Sequence, residues 1–208
     1  MDTHELKQAI GRVAPITEDD WQLLRPDLTS RSIRKGDFFN TQGTVCKSLG
    51  YSVRGSFRAY YLVGEKEINV GFFFEKNFVV AYQSFVTQQP CPMFVEALQD
   101  TELILISYQK LQALYRLSHR WEHFGRMVAE TAFVFSQKRV EGFLFETPEE
   151  RYLTMLREYP DIHARVPLYH IASYIGIEGP SLSRIRRRLA KRKPTPETNA
   201  EPSPGLLT

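Results

Sequence analysis

Cysteine is scarce in this chain: Cys46 and Cys91 are its two thiols in 208 residues. Neither stands in a CxxC pair or beside histidines at metal-ligand spacing, which excludes a disulfide framework and a four-thiolate iron-sulfur cluster. A reduced, intracellular setting is the expectation. Long apolar runs are missing as well, since no stretch has the length of a membrane span. The opening MDTHELKQAIGR has an acid at its second residue and no apolar run of the kind a secretory signal needs. A cytoplasmic protein without membrane contact is expected. Enzyme motifs are absent too, with no GxSxG, P-loop or GxGxxG. The five histidines are His4, His119, His123, His163 and His170. None lies in the β-rich stretch described below, which removes the histidine and carboxylate cluster of metal-dependent β-barrel enzymes. His119 and His123 stand one helical turn apart but lack a third ligand. The reading is therefore no enzyme, no metal and no cofactor.

Against these absences, 42% of the residues are hydrophobic and 25% charged, the composition of an ordinary globular protein with a proper core. The net charge of +3 is too small for a polycation. Its distribution says more. Residues 1–146 balance 17 basic against 17 acidic side chains, residues 147–193 carry a net +5, and residues 194–208 a net −2. Within Arg184 to Lys193, seven of ten residues are basic and none is acidic. A block of this kind suggests a module that meets phosphate; a solvated helix face is the plainer alternative.

From Ser30 to Ser107 the segments are short, β-branched or aromatic, and punctuated by Lys35-Gly36-Asp37, Gln42-Gly43, Arg54-Gly55, Gly64-Glu65-Lys66, Glu75-Lys76-Asn77 and Gln89-Pro90. This spacing predicts an antiparallel β-roll of about seven or eight strands. Thr17-Glu18-Asp19-Asp20 ahead of Trp21 reads as a capped short helix. After Ser107 the period changes. From about Arg120 to Phe145 there is no proline, and Trp121, Phe124, Val128, Thr131 and Phe135 recur at steps of three and four. That seam predicts a long helix, and Phe133, Val134, Val140 and Leu144 make it apolar elsewhere too. Such a helix covers the roll and meets a second subunit, or else is wholly a core helix of its own chain. Thr147-Pro148-Glu149-Glu150 then opens a new helix and a new domain.

The segment PLYHIASYIGIEGPSLSRIRRRLAKRK follows. Two short helices packed nearly perpendicular need a small residue at their contact, Ala172, and a left-handed turn between them, which Gly176 permits. Ile171, Leu182 and Ile185 complete the packing. The second helix then leaves Ser181, Arg184, Arg187 and Arg188 outside, where a helix in a major groove presents them to bases and phosphates.

With RKGDFFNTQG early in the roll, VRGSFRAYYLVGEKE in its middle, FVEALQDTELILIS at its end and IASYIGIEGPSLSRI near the C-terminus, the chain resembles the catabolite-activator (Crp/Fnr) family over about residues 15–192. The resemblance implies an α+β architecture. An N-terminal antiparallel β-roll like a cyclic-nucleotide-binding domain, with its helices, occupies 1–118. A long dimerisation helix spans 119–146, an all-α helix-turn-helix domain 147–193, and a disordered tail 194–208. It also implies a cytoplasmic homodimer that binds a roughly palindromic site in double-stranded DNA and regulates transcription, with RNA polymerase as a further partner.

The departures from the family pattern carry their own expectations. The four positions that hold the ribose and cyclic phosphate in cyclic-nucleotide binders fall on Val80, Ala81, Cys91 and Pro92, which supply no cation, and Pro92 lacks even a backbone N–H. Cyclic nucleotide is therefore not expected to bind in the family's manner. Tyr61, Phe72, Tyr82 and Phe85 are candidates for an apolar effector pocket, or else a plain aromatic core, and any effector is unknown. In the recognition helix Pro180 replaces the usual glutamate, while Ser183 and Arg184 match. Arg184 is the candidate guanine reader, and Arg187, Arg188, Lys191 and Arg192 are candidate phosphate contacts. The family's β-wing is expected to be missing after this helix. A second reading makes the basic helix the docking face for an acidic protein partner.

Overall fold

The computed structural model describes residues 3–191. Two short helices, α1 (His4–Val13) and α2 (Glu18–Leu24), precede the sheet region. Thr17 starts α2 with a reciprocal cap: its hydroxyl accepts from Asp20 N, and the Asp20 carboxylate accepts from Thr17 N. Asp20 is itself buried and accepts from the Ser118 hydroxyl at 2.6 Å. Burial opposes ionisation there, but Ser118, Thr17 and Arg120 together hold its pKa below the ordinary value.

Eight strands follow: β1 (Thr29–Ile33), β2 (Phe38–Asn40), β3 (Ser48–Arg54), β4 (Phe57–Val63), β5 (Lys66–Phe73), β6 (Phe78–Val79), β7 (Phe94–Ala97) and β8 (Thr101–Ser107), with helix α3 (Tyr82–Thr87) between β6 and β7. They form two four-stranded antiparallel sheets, ordered β1-β8-β3-β6 and β2-β7-β4-β5. The β4–β5 hairpin closes at Val63 opposite Lys66, and Gly64, with φ +61°, takes the first position of its two-residue turn. Between the sheets lie Leu49, Tyr51, Phe57, Phe78, Val95 and Ile104, all buried.

Helix α4 (Tyr108–Leu117) leads into α5 (His119–Phe145), a 27-residue helix that closes the roll. The α+β architecture of antiparallel roll, long helix and C-terminal helices is thus present. The five residues named for the dimer helix divide between the roll and the C-terminal helices. Trp121 and Phe124 are completely buried and Val128 nearly so, within the roll's own core. Thr131 is half-buried and donates to Met127 O, and Phe135 lines a cavity shared with Tyr174. Trp121, Phe124 and Val128 pack on the roll because it offers a far larger apolar surface than one turn of helix can leave wet. On the opposite face of α5, Phe133 is 67% exposed, Val140 49% and Leu144 69%.

Four further helices complete the described chain: α6 (Pro148–Glu158), α7 (Ile162–Arg165), α8 (Leu168–Tyr174) and α9 (Gly179–Lys191). Thr147 caps α6 with the same reciprocal pair, here with Glu150, and Pro148 takes the first helical position. Tyr152, Met155, Ile162, Ile171, Leu182 and Ile185 form a second core. Among the described residues no helix is long and apolar enough to cross a membrane.

Candidate nucleic-acid interface

Helices α8 and α9 meet through the small Ala172 and the buried Ile171, Leu182 and Ile185. Helix α8 ends by a backbone device: Gly176 N donates to Ser173 O at 3.1 Å and Ile177 N to Ala172 O at 3.0 Å, with Gly176 at φ +78°. Gly176 answers a second demand invisible in sequence. A Cβ there would come within 2.6 Å of Phe143 Cε1 on α5, so the turn also needs glycine for clearance against the long helix.

On a helix of 3.6-residue period, Leu182, Ile185 and Leu189 define the inner side of α9, and Pro180, Ser183, Arg184, Arg187 and Lys191 fall opposite. All five outer residues are exposed. Arg184, Arg187 and Lys191 form no salt bridge with any described residue. Arg184 Nη2 instead donates to the half-buried Ser181 hydroxyl at 3.0 Å, and Ser183 returns its hydroxyl to Gly179 O at 3.2 Å. Arg188 sits on the flank of α9 and pairs with Glu149 of α6, so it anchors the helix to its own domain rather than standing free for phosphate. Arg192 lies outside the described residues, as do the tail and the place of any wing. Sequence reasoning passed over Arg186, which is exposed on the other flank, near Tyr152.

The helix-turn-helix is docked on the roll. Along β5, Asn69 N donates to Ser173 Oγ at 3.0 Å, and that hydroxyl donates to Glu67 O at 2.6 Å. Phe72 belongs to this second core, its ring 5.2 Å from that of Tyr174. It therefore cannot line a pocket inside the roll, a correction that follows from β5 lending one face to each domain. Arg139 of α5 donates to both Asn69 O and Tyr174 O, at 2.9 and 3.1 Å, joining long helix, roll and α8. Burial lowers its pKa, and Tyr174 partly offsets that. Arg151 of α6 donates to Ile175 O at 2.9 Å and to Glu146 O at 2.6 Å, which ties the ends of α8 and α5 together.

The centre of this contact is Arg58 of β4, 4% exposed. Its guanidinium donates to Glu96 at 2.5 and 3.0 Å, to Glu67 at 2.5 Å and to His170 Nδ1 at 3.0 Å, and stacks 4.0 Å over the Tyr60 ring. Burial opposes the charge on Arg58, but the two carboxylates overcome it and raise its pKa. Arg58 holds Glu67 below the usual carboxylate range. His170 is pushed down to about 4 by burial and then by Arg58. The sequence offered one signal for this site, a cation at an otherwise apolar position of a strand.

At the four effector-type positions Val80, Ala81 and Cys91 are buried and Pro92 is exposed. Ala81 precedes α3 and accepts from Phe85 N, while burial raises the Cys91 thiol. Of the proposed pocket residues, Tyr82 and Phe85 line a cavity, but with α4 and α5. Tyr61 is half-buried and close enough to Cys91 to feel its charge. The four therefore do not converge. Among the described residues no group of three or more His, Cys, Asp or Glu side chains could hold a metal.

The architecture is thus a β-roll closed by a long helix, with a helix-turn-helix docked on it. Residues 30–118 match the family model "Cyclic nucleotide-binding domain", and the fold is similar to that of several solved structures. It is similar to the structure of FixK2 from Bradyrhizobium japonicum, with TM-score 0.67 and 17% identity, covering 78% of this chain and 84% of that one. A structure described as a transcriptional regulator of the Crp/Fnr family from Eubacterium rectale gives TM-score 0.67 at 19% identity, covering 85% and 84%. The Thermus thermophilus catabolite activator protein gives 0.54 at 17% identity, covering 88% and 87%. No curated protein sequence matches.

Proposed function

We propose that the chain is a sequence-specific DNA-binding transcription regulator rather than an enzyme, and that it acts as a homodimer on a roughly palindromic operator. One observation carries this reading. Helix α9 turns Leu182 and Ile185 into its domain and leaves Arg184, Arg187 and Lys191 exposed in a row, with no salt bridge to any described residue. Arg184 is the base reader, able to offer two parallel donors to a guanine, and Arg187 and Lys191 hold phosphates. Two solved structures of the same fold support it: the one from Eubacterium rectale is described as a transcriptional regulator of the Crp/Fnr family and the one from Thermus thermophilus as a catabolite activator protein. Dimerisation uses the outer face of α5, Phe133, Val140 and Leu144, so that two copies of α9 reach half-sites about one helical turn apart.

The roll does not take cyclic nucleotide in the family's manner, because Val80, Ala81, Cys91 and Pro92 give a cyclic phosphate no cation. The roll's buried arginine, Arg58, is already engaged by Glu67 and Glu96.

In vitro selection from random duplex DNA, at salt high enough to suppress bare phosphate attraction, tests the proposal. Enrichment of a two-fold symmetric site is expected. Binding that persists at low salt without any enriched sequence overturns sequence-specific recognition and favours an acidic protein partner for α9.

A further inference from the structure

A cavity of about 520 Å³ lies between α3, α4 and α5, within the range of small-molecule sites. Its walls are aromatic: Tyr82 and Phe85 from α3, Tyr108 and Tyr115 from α4, and Phe124 from α5. Phe85 and Tyr108 meet edge to face with centroids 5.4 Å apart. Tyr115 lies across Gly125, where a Cβ would come within 2.7 Å of the phenol oxygen. The bare backbone of Gly125 is what lets that ring stand as a wall.

Three tyrosines line this one cavity. Tyr82 and Tyr108 are near enough to Tyr115 for their charges to act on it. None of the three side chains hydrogen-bonds another described residue. Burial pushes the Tyr115 phenol up to about 12, so it stays a protonated donor at neutral pH. The three tyrosines are half-buried, which leaves their hydroxyls open to water or to an acceptor on a ligand. The charges near the mouth are already satisfied: Arg126 pairs with Glu130 at 2.5 Å and meets His123 at 3.0 Å, and His119 meets Glu122 at 3.1 Å. The cavity therefore combines flat apolar walls with neutral donors and keeps no free cation for an anion.

We propose that this cavity binds a neutral planar aromatic ketone, its rings among Phe85, Tyr108 and Phe124 and its carbonyl oxygen accepting from the tyrosine hydroxyls. The site adjoins the degenerate cassette without using it. Ala81 is the residue just before α3, and α5 runs on from this cavity to Arg139, which holds α8. A ligand wedged between α3 and α5 thus acts on the helix that positions the reading head. Only that consequence rests on the DNA-binding reading; the binding step does not.

Chromone, a two-ring aromatic ketone, is titrated by calorimetry into the full chain, with naphthalene as the same two-ring frame lacking oxygen. Chromone is expected to bind once per chain and at least tenfold tighter than naphthalene. In the variant Tyr82→Phe/Tyr108→Phe/Tyr115→Phe the two are expected to bind alike, and each single Tyr→Phe variant, checked for unchanged circular dichroism, to lose part of the preference. Val86→Trp, at an exposed position of the cavity mouth, is expected to weaken both ligands. Equal binding of the two probes to the unaltered chain, a preference that survives loss of all three hydroxyls, or no saturable binding of chromone would overturn the proposal. The DNA selection reads the other proposal separately, so the two can fail independently.

Discussion

Arg58 of β4 and His170 of α8 are 112 residues apart in the chain, yet Arg58 Nη1 donates to His170 Nδ1 across 3.0 Å in a buried contact. The bond requires a neutral imidazole with its lone pair at Nδ1, because a second cation at that distance would be repelled. Glu67 from β5 and Glu96 from β7 close the same cluster. The position of the helix-turn-helix on the roll is thereby tied to one protonation state.

Acidification should therefore loosen the docking. The His170 pKa is depressed from 6.5 to about 4, so its contribution is present above pH 6.5 and is lost as pH falls from there through about 4. The shift corresponds to roughly 3 kcal/mol. Denaturant melts across this range should show the loss in the unaltered chain and a shallower slope in His170→Gln. Glu67, also depressed, adds a loss at lower pH that both proteins share. Identical slopes would show that His170 does not report the contact.

Gly176→Ala combines a positive φ with a collision against Phe143. A destabilisation of about 1–3 kcal/mol is expected from the backbone alone, with the steric term added. Urea unfolding measures it, and Gly179→Ala, at an open position, serves as the control that should change little.

The two apolar faces of α5 should separate in mutation. Phe133→Glu with Leu144→Glu, both at exposed positions, is expected to yield a folded monomer by sedimentation analysis. Trp121→Ala, in the core of one chain, is expected to cost about 3–5 kcal/mol. If the double variant sediments as the unaltered protein does, that face is not the dimer seam.

Arg184→Ala and Lys191→Ala should differ in kind. Loss of Arg184 is expected to cost about 1–3 kcal/mol on the selected site and relax preference at one position of each half-site. Loss of Lys191 should weaken all sequences alike and lower the salt slope by about 1 per subunit. Competition binding against scrambled duplexes distinguishes the two. A uniform effect of Arg184→Ala would remove it as a base reader.

Local chemistry was legible from the residues. The Thr17 and Thr147 caps, the Gly176 turn, the period of α5 and the inward row Ala172, Leu182 and Ile185 each depend on neighbours within a few positions, and each stands in the structure. Which apolar side of α5 the roll takes was not legible, because the helix is apolar on opposite sides and periodicity alone does not choose between them. Phe72 was misplaced for the same reason, since β5 gives one face to each domain. Arg188 was grouped with the outer basic residues because its partner, Glu149, is 39 positions away.

The sequence by itself determined which segments become strands and helices, where the helix-turn-helix bends, and that a row of basic side chains faces out from its second helix. Those are matters of propensity, capping and period, set by near neighbours. Only the tertiary structure decided which apolar face of α5 was spent on the roll, that Arg58 would gather Glu67, Glu96 and His170 from three other elements, and that three tyrosines from two helices would share one cavity. Buried charge and apolar area are satisfied by whichever partners the fold brings within reach, and that reach spans the whole chain.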